Sequence, residues 1–287
     1  MDKYQEAFSK FESIGTDADV SRKVHEILRE EADKNFTREV LKQIYGYIDL
    51  TSLSTLDTNE SILKLVAFVN DFEGKRPDLS NVAAICTYPL FTDAVKQALT
   101  AKNVKIAAVT GGFPHAQTFE EVKIAETGLA VLHGADEIDT VLNLGYLAEE
   151  NYDDLSSEIS EIKESAHGAT LKVILETGAL STVDNIKKAA IFSIYAGADF
   201  IKTSTGKEYP GATPEAVYTM CQVIKTYYSL TGNKIGIKVS GGIRKAEDAV
   251  KYYVIVKEVL GKEWLNKEYF RIGASSLANN LIERIGD

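Results

Sequence analysis

Short apolar runs of five to seven residues alternate, along most of the chain, with longer stretches in which apolar residues recur every three or four positions. The first pattern is that of strands and the second that of helices with one buried face. Eight runs are expected to be strands, at 45–50, 82–88, 104–110, 136–142, 171–177, 199–205, 235–240 and 269–273. Between them lie helical segments such as FTDAVKQALTAKN, TVDNIKKAAIFSIYAG and TPEAVYTMCQVIKTYYSL, the last two opening on a threonine suited to an N-cap. A strand-helix unit every ~30 residues, repeated eight times, predicts an α/β fold of the (β/α)8 TIM-barrel type. A doubly wound sheet would also alternate, but no GxGxxG turn follows the first strand. The expected organisation is a single barrel domain over 1–287, with an N-terminal helical extension at 1–43 and the barrel proper at 44–287. That extension opens with a charged amphipathic stretch from Met1 to Asn35, read as helices that cap the barrel bottom or pack on a neighbouring subunit.

Side chains of a barrel strand alternate between the lumen and the helix layer, so the polar set in each run marks the lumenal face. In IGIKVSGG the apolar Ile235, Ile237 and Val239 face the helices, leaving Gly236, Lys238 and Ser240 inward. In DFIKTSTG the inward set is Phe200, Lys202 and Ser204. The same alternation puts Asp49 and Thr51, Glu137 and Asp139, and Lys172 and Glu176 into the lumen. A barrel core is normally branched aliphatic, and buried charges must pair or shift their pKa. Any one lysine here could be a structural ion pair, but two near the tops of adjacent strands, beside an acid, point to function.

Composition narrows the field. The formal charge of −10, from 42 acids against 32 bases, disfavours a nucleic-acid partner, because phosphate backbones recruit clustered Lys and Arg. No stretch approaches the ~20 apolar residues of a membrane span, and the N-terminus has no apolar signal core, so a cytoplasmic protein without a membrane partner is expected. Cys86 and Cys221 are far apart and write no disulfide framework or CxxC metal site. His25, His115, His133 and His167 never fall at metal-ligand spacing, so no metal and no cofactor are expected.

The lumenal set suggests imine chemistry. A lysine is nucleophilic at neutral pH only when its ammonium form is disfavoured, and a second cation a few ångströms away does this. Lys238 can play that part for Lys202, and Asp139 can carry the protons that carbinolamine dehydration and C–C cleavage require. Beyond the strand ends, Thr205-Gly206-Lys207, Gly241-Gly242 and Ser275-Ser276 form a candidate phosphate cradle of glycine backbone, hydroxyls and one cation. Asp49, Thr51, Cys86 and Ser240, all lumenal, join the candidate substrate contacts. Cys86 has no histidine beside it and reads as a small apolar filler that aldehydes could modify.

At these residues the sequence resembles the deoxyribose-phosphate aldolase family from about Tyr47 to Ile282, through YIDLTSL, VAAICTYP, GADEIDTVLNLG, LKVILETG, AGADFIKTSTGK, IKVSGGIR and FRIGASSL in the family's order. The resemblance implies that Lys202 is the Schiff-base lysine, Lys238 the lysine that lowers its pKa, and Asp139 the proton-relay aspartate. It implies reversible cleavage of 2-deoxy-D-ribose 5-phosphate to acetaldehyde and D-glyceraldehyde 3-phosphate, in deoxyribonucleoside catabolism, without cofactor. Some members end in a tail with a C-terminal tyrosine used in proton transfer, whereas this sequence ends Glu283-Arg284-Ile285-Gly286-Asp287, which leaves the final proton carrier open. Ser240 stands where some members carry alanine. The rival readings are another imine-forming sugar-phosphate aldolase or transaldolase, and a catalytically silent sugar-phosphate-binding barrel. A homodimer or higher homo-oligomer is expected, with no interface marked in the sequence.

Overall fold

The computed structural model describes residues 3–286 other than Glu12. Eight parallel strands close into a barrel in which each pairs with the next and the last with the first. They are β1 (Ile48–Thr51), β2 (Ala84–Thr87), β3 (Lys105–Thr110), β4 (Glu137–Val141), β5 (Thr170–Ile174), β6 (Phe200–Lys202), β7 (Gly236–Ser240) and β8 (Phe270–Ala274). Ahead of β1 come α1 (Lys3–Ser9), α2 (Asp17–Asn35) and α3 (Arg38–Tyr45). The outer layer follows as α4 (Asn59–Lys75), α5 (Thr92–Ala98), α6 (Glu120–Leu132), α7 (Leu144–Ala148), α8 (Tyr152–Ser165), α9 (Thr177–Leu180), α10 (Val183–Tyr195), α11 (Pro214–Thr231), α12 (Ala246–Leu260) and α13 (Leu277–Ile285).

All eight expected runs contain a strand, and in three of them the shortening has a physical reason in the local structure. The run at 45–50 begins in the last turn of α3, so β1 starts only at Ile48. The run at 171–177 ends at Ile174, because Glu176 takes a left-handed conformation (φ 53°, ψ 60°) and turns the chain into α9. The run at 199–205 ends at Lys202, where the chain leaves the sheet for the mouth of the barrel. The helix starts match the sequence more closely. Thr182 and Thr213 accept hydrogen bonds from the N–H groups of Asn185 and Ala216, and Pro214 occupies the first turn of α11, where its missing N–H costs nothing.

The core divides at the sheet. Outward residues of the strands, among them Val173, Ile201, Ile237, Val239 and Ile272, join one large apolar cluster with the helices. Inside the barrel, apolar packing is confined to small groups, the main one being Ala84, Cys86, Ala107 and Val109 of β2 and β3 under Leu53. These short side chains leave the rest of the lumen open to the long charged ones. Gly236 serves the same economy of space, since a methyl group there would overlap the Phe200 ring of the neighbouring strand.

The N-terminal segment does not plug the barrel. Val20 and Val24 of α2 are buried, and the helix lies across α11 and α12 on the outside of the helix layer, while α3 packs on α12 and α13 and leads into β1. Polar ties fix this placement: the Asp17 carboxylate accepts the Val183 N–H at the start of α10 (2.8 Å), and the Lys187 amine donates to the Phe11 carbonyl (3.1 Å).

Because the Phe200 ring fills the space beside Gly236, Gly236→Ala is expected to destabilise the protein by about 1–3 kcal/mol, as overpacking does in a close-packed core. Denaturant unfolding of the variant beside wild type reads this directly, and an unchanged midpoint would show that the ring has room to move.

Candidate active site

Seven charged side chains fill the lumen, supplied by β1 and by β4 to β8. Asp49 contacts Lys238 (2.5 Å) and Arg271 (2.7 Å); Arg271 also holds Glu137 (2.8 Å); Glu137 contacts Lys172 (2.6 Å). Lys172 reaches Asp139 (2.9 Å), and Asp139 meets Lys238 (2.7 Å), which returns to Asp49. Three acids and three bases thus alternate around a closed ring, each with a neighbour of opposite sign on both sides. The strand register makes this feasible. Lys202, Lys238 and Arg271 stand level on β6, β7 and β8, and Asp139 is level with Lys172 across β4 and β5.

Lys202 is the seventh member and stands outside the ring. Its amine donates to Asp139 Oδ2 (2.8 Å), the same oxygen that Lys238 uses, and among the described residues no second carboxylate lies within ion-pair distance of it. With all seven groups ionised, the lumen would hold four cations against three anions. Buried excess charge is expensive, and the cheapest proton to release is the one held by a single acid.

The electrostatics follow this count. Burial lowers the Lys202 pKa, and the nearby Lys238 cation adds to that against the opposing pull of Asp139; the outcome lies below an ordinary lysine. The like-charge effect expected from Lys238 is therefore present, but loss of solvent is the leading cause. Burial pulls on Lys238 and Lys172 too, yet their carboxylates outweigh it and hold both above the usual lysine range. Burial raises the Asp139 carboxyl, and Lys172, Lys202 and Lys238 more than offset it, holding the acid well below the carboxylate range. Asp49 is likewise held low by Lys238 and Arg271 against its burial.

Above the ring, a cavity of about 390 Å³ opens at the C-terminal ends of β1, β6, β7 and β8. Lys202, only 3% exposed, is the lumenal cation that lines it. Thr51, Thr205, Gly206, Lys207, Ser240, Gly241, Gly242 and Ser275 of the expected set line it as well. The arrangement offers glycine backbone, a hydroxyl and the cations of Lys207 and Arg244 to an anion lodged some way above a reactive amine. A larger cavity, about 630 Å³, lies at the opposite end of the barrel between the segments that precede β8, β1, β2 and β3, and includes none of the seven lumenal charges.

Several expected contacts turn out otherwise. Asp49 is wholly buried below the cavity, its oxygens occupied by Lys238 and Arg271, so it holds the amine ring together instead of facing a ligand. Cys86 is also wholly buried, its sulfur 4.0 Å from Asp139 Oδ2, and burial raises its thiol pKa. Ser276 is exposed at the start of α13 and does not line the cavity. The Thr51, Thr205 and Ser240 hydroxyls are committed to the Asp49 carbonyl, the Glu176 carboxylate and the Ser204 carbonyl. Glu176, expected in the lumen, lies past the end of β5. The residue missed by sequence reasoning is Arg271, although strand alternation through Phe270 and Ile272 marks it as lumenal. Ser52, Leu53, Ser54 and Arg244 also line the cavity, from loops that carry no periodic signal.

The chain is similar over most of its length to known aldolases. Residues 44–279 match the DeoC/LacD family of aldolases. A human protein named deoxyribose-phosphate aldolase is 39% identical over 90% of this chain and 84% of its own. The mouse protein of that name is 36% identical over 93% and 88%. Among solved structures, a tetrameric deoxyribose phosphate aldolase from Aeropyrum pernix superposes with a TM-score of 0.66 at 28% identity, covering 90% of this chain and 95% of that one.

Removing one ring member should leave the others unbalanced. Arg271→Leu strips a cation from both Asp49 and Glu137, and should cost ~3–5 kcal/mol at neutral pH. Asp49 has a depressed folded-state pKa, so its contribution is full above the ordinary carboxylate range, about 4, and is lost as pH falls through the folded-state value. The gap between variant and wild type should therefore narrow in acid. Urea unfolding at neutral pH and in acid measures both, and a gap that widened in acid would contradict the pairing.

Proposed function

The chain belongs to the DeoC/LacD family of aldolases, and from that premise we propose that Lys202 is the amine that bonds substrate carbon. The reaction is the reversible cleavage of 2-deoxy-D-ribose 5-phosphate to acetaldehyde and D-glyceraldehyde 3-phosphate through a Schiff base. The observation that carries the assignment is the charge count of the lumen: three acids balance three bases in a ring, and Lys202 is the surplus cation that borders the cavity.

Neutral Lys202 attacks C1 of the open-chain aldehyde with its lone pair, and the carbinolamine loses water to give an iminium. The iminium puts a positive charge back beside ionised Asp139, which stabilises it as it forms, and the surplus of charge that results favours the next step, which removes it. The electrons of the C2–C3 bond then move toward C2 and the nitrogen, while the 3-hydroxyl gives up its proton and becomes the aldehyde of glyceraldehyde 3-phosphate. Protonation of the enamine at C2 and addition of water release acetaldehyde and regenerate the amine. Asp139, in contact with three amines, is placed to pass protons between them and water. Its depressed pKa makes it an ionised anchor at rest, so it carries a proton only transiently.

Lys238 keeps its own proton because two carboxylates hold it, and that fixed charge opposes a second proton on Lys202. The phosphate is assigned to the rim, to the backbone at Gly206, Gly241 and Gly242 with Lys207, Arg244 and Ser275. We also propose that residues 44–287 form one catalytic barrel domain, with 1–43 as its helical extension, acting as a homo-oligomer in the cytoplasm. The tetrameric state of the Aeropyrum pernix protein supports the oligomer, and two buried free cysteines suit a reducing compartment. No helix among the described residues is long and apolar enough to cross a membrane.

Borohydride reduction in the presence of 2-deoxy-D-ribose 5-phosphate, followed by peptide mass mapping, is expected to place the trapped carbon on Lys202, and Lys202→Ala to abolish both label and turnover. Label on another lysine would overturn the assignment.

The acid limb of kcat/KM should report protonation of Lys202, falling away below a pKa lower than that of ordinary lysine. Lys238→Leu removes a repelling cation, so Lys202 should hold its proton to higher pH and the limb should move alkaline, costing ~100-fold at neutral pH. A variant with near-wild-type turnover and an unmoved limb would show that Lys238 has no such effect.

A further inference from the structure

Glu176 is absent from the cavity wall, yet its conformation is the least comfortable near it. It is buried just past β5 and sits at φ 53° and ψ 60°, a left-handed region that glycine and asparagine tolerate and glutamate disfavours. Such strain persists only where the surroundings over-determine it. The backbone around it is pinned by the β5–β6 ladder running on past the strands, with the Leu175 and Thr177 N–H groups donating to the Lys202 and Thr203 carbonyls (both 2.9 Å). Between those bonds, the left-handed turn aims the Glu176 carboxylate at Thr205. There it accepts both the Thr205 N–H (3.3 Å) and, through a very short contact, the Thr205 hydroxyl.

Thr205 in turn receives the Lys207 N–H on its hydroxyl oxygen (3.3 Å), and the Lys207 amine donates to the Leu53 carbonyl across the cavity. The far end of the same loop rests on glycine: side chains at Gly178 or Gly211 would overlap the backbone of Pro210 or Gly241. The loop that carries Gly206 and Lys207 is therefore seated at its far end by backbone contact and fastened at Thr205 by the Glu176 carboxylate, with further ties from Lys207 to Leu53 and from Glu208 to His115 (3.0 Å).

We propose that Glu176 is a positioning residue for phosphate recognition, setting Thr205, and through it Gly206 and Lys207, at the height where they meet the substrate's phosphate. This rests on the assignment of the phosphate to the rim made above. It separates two properties that a structural glutamate would tie together. Asparagine is at ease at φ 53° but too short to reach Thr205, so Glu176→Asn should melt no lower than wild type while losing the fastening.

The test compares kcat/KM for 2-deoxy-D-ribose 5-phosphate and for 2-deoxy-D-ribose, which lacks the phosphate, in wild type, Glu176→Asn and Glu176→Gln. The ratio between the two substrates should fall at least ~10-fold in Glu176→Asn, mainly through KM for the phosphorylated sugar, the scale of one hydrogen bond to a charged group. It should fall less in Glu176→Gln, which keeps an acceptor for one of the two bonds. An unchanged ratio in either variant, or equal losses on both sugars, would overturn the inference; Glu176→Gln carries the test if Glu176→Asn does not fold. Borohydride trapping with acetaldehyde, which has no phosphate, separates this failure from that of the underlying reading. Wild type that leaves Lys202 unlabelled sinks the Schiff-base assignment, whereas labelled wild type with an unchanged substrate ratio sinks only the role of Glu176.

Discussion

A closed circuit of opposite charges, Asp49 to Arg271 to Glu137 to Lys172 to Asp139 to Lys238 and back, is the constraint on which the rest of this molecule depends. Ion pairs buried at this depth do not gain stability over apolar packing, because the desolvation of six charges must be recovered from their mutual attraction. Balance is what makes the circuit tolerable, and the same balance makes a seventh charge intolerable. On the proposed assignment, Lys202 is reactive because its neighbours are satisfied without its proton.

The circuit also dictates how the barrel is filled. Long amines and a guanidinium cannot converge on three carboxylates unless some strands give up volume, and β2 and β3 do so with Ala84, Cys86, Ala107 and Val109. Packing and electrostatics thus divide the lumen between them, an apolar quarter of small side chains facing a polar remainder of large ones. Enlarging a residue on the apolar side would displace a charged tip on the other.

Much of this was legible in the sequence. Two-residue alternation identified the lumenal faces, and it put Lys202, Lys238, Asp139, Asp49, Glu137 and Lys172 in one interior. Alternation gives the face of a strand but not the height along it, which is why Asp49 and Cys86 are expected as substrate contacts and lie buried beneath the cavity. Nor does it give partners. The circuit closes through contacts between residues as far apart as Asp49 and Arg271, and a lone charge in a run as short as 269–273 carries no sign of its partners. Glu176 shows the converse failure: its place in the pattern implied a strand, and only a left-handed turn, which no periodicity encodes, carries it out of the sheet. The amphipathic stripe of α2 likewise announced a buried face without naming α11 and α12 as its cover.

The circuit's contacts span the seam where the first strand meets the last, since Asp49 belongs to β1 and Arg271 to β8. Joining the ends of the sheet and assembling the catalytic charges are consequently one event. Without β8, Asp49 and Glu137 would lack their shared guanidinium and the three carboxylates would face only Lys172 and Lys238, so a proton on Lys202 would complete the balance instead of exceeding it. By this count the proposed nucleophile becomes the surplus cation only when the final strand docks and brings Arg271 into the lumen.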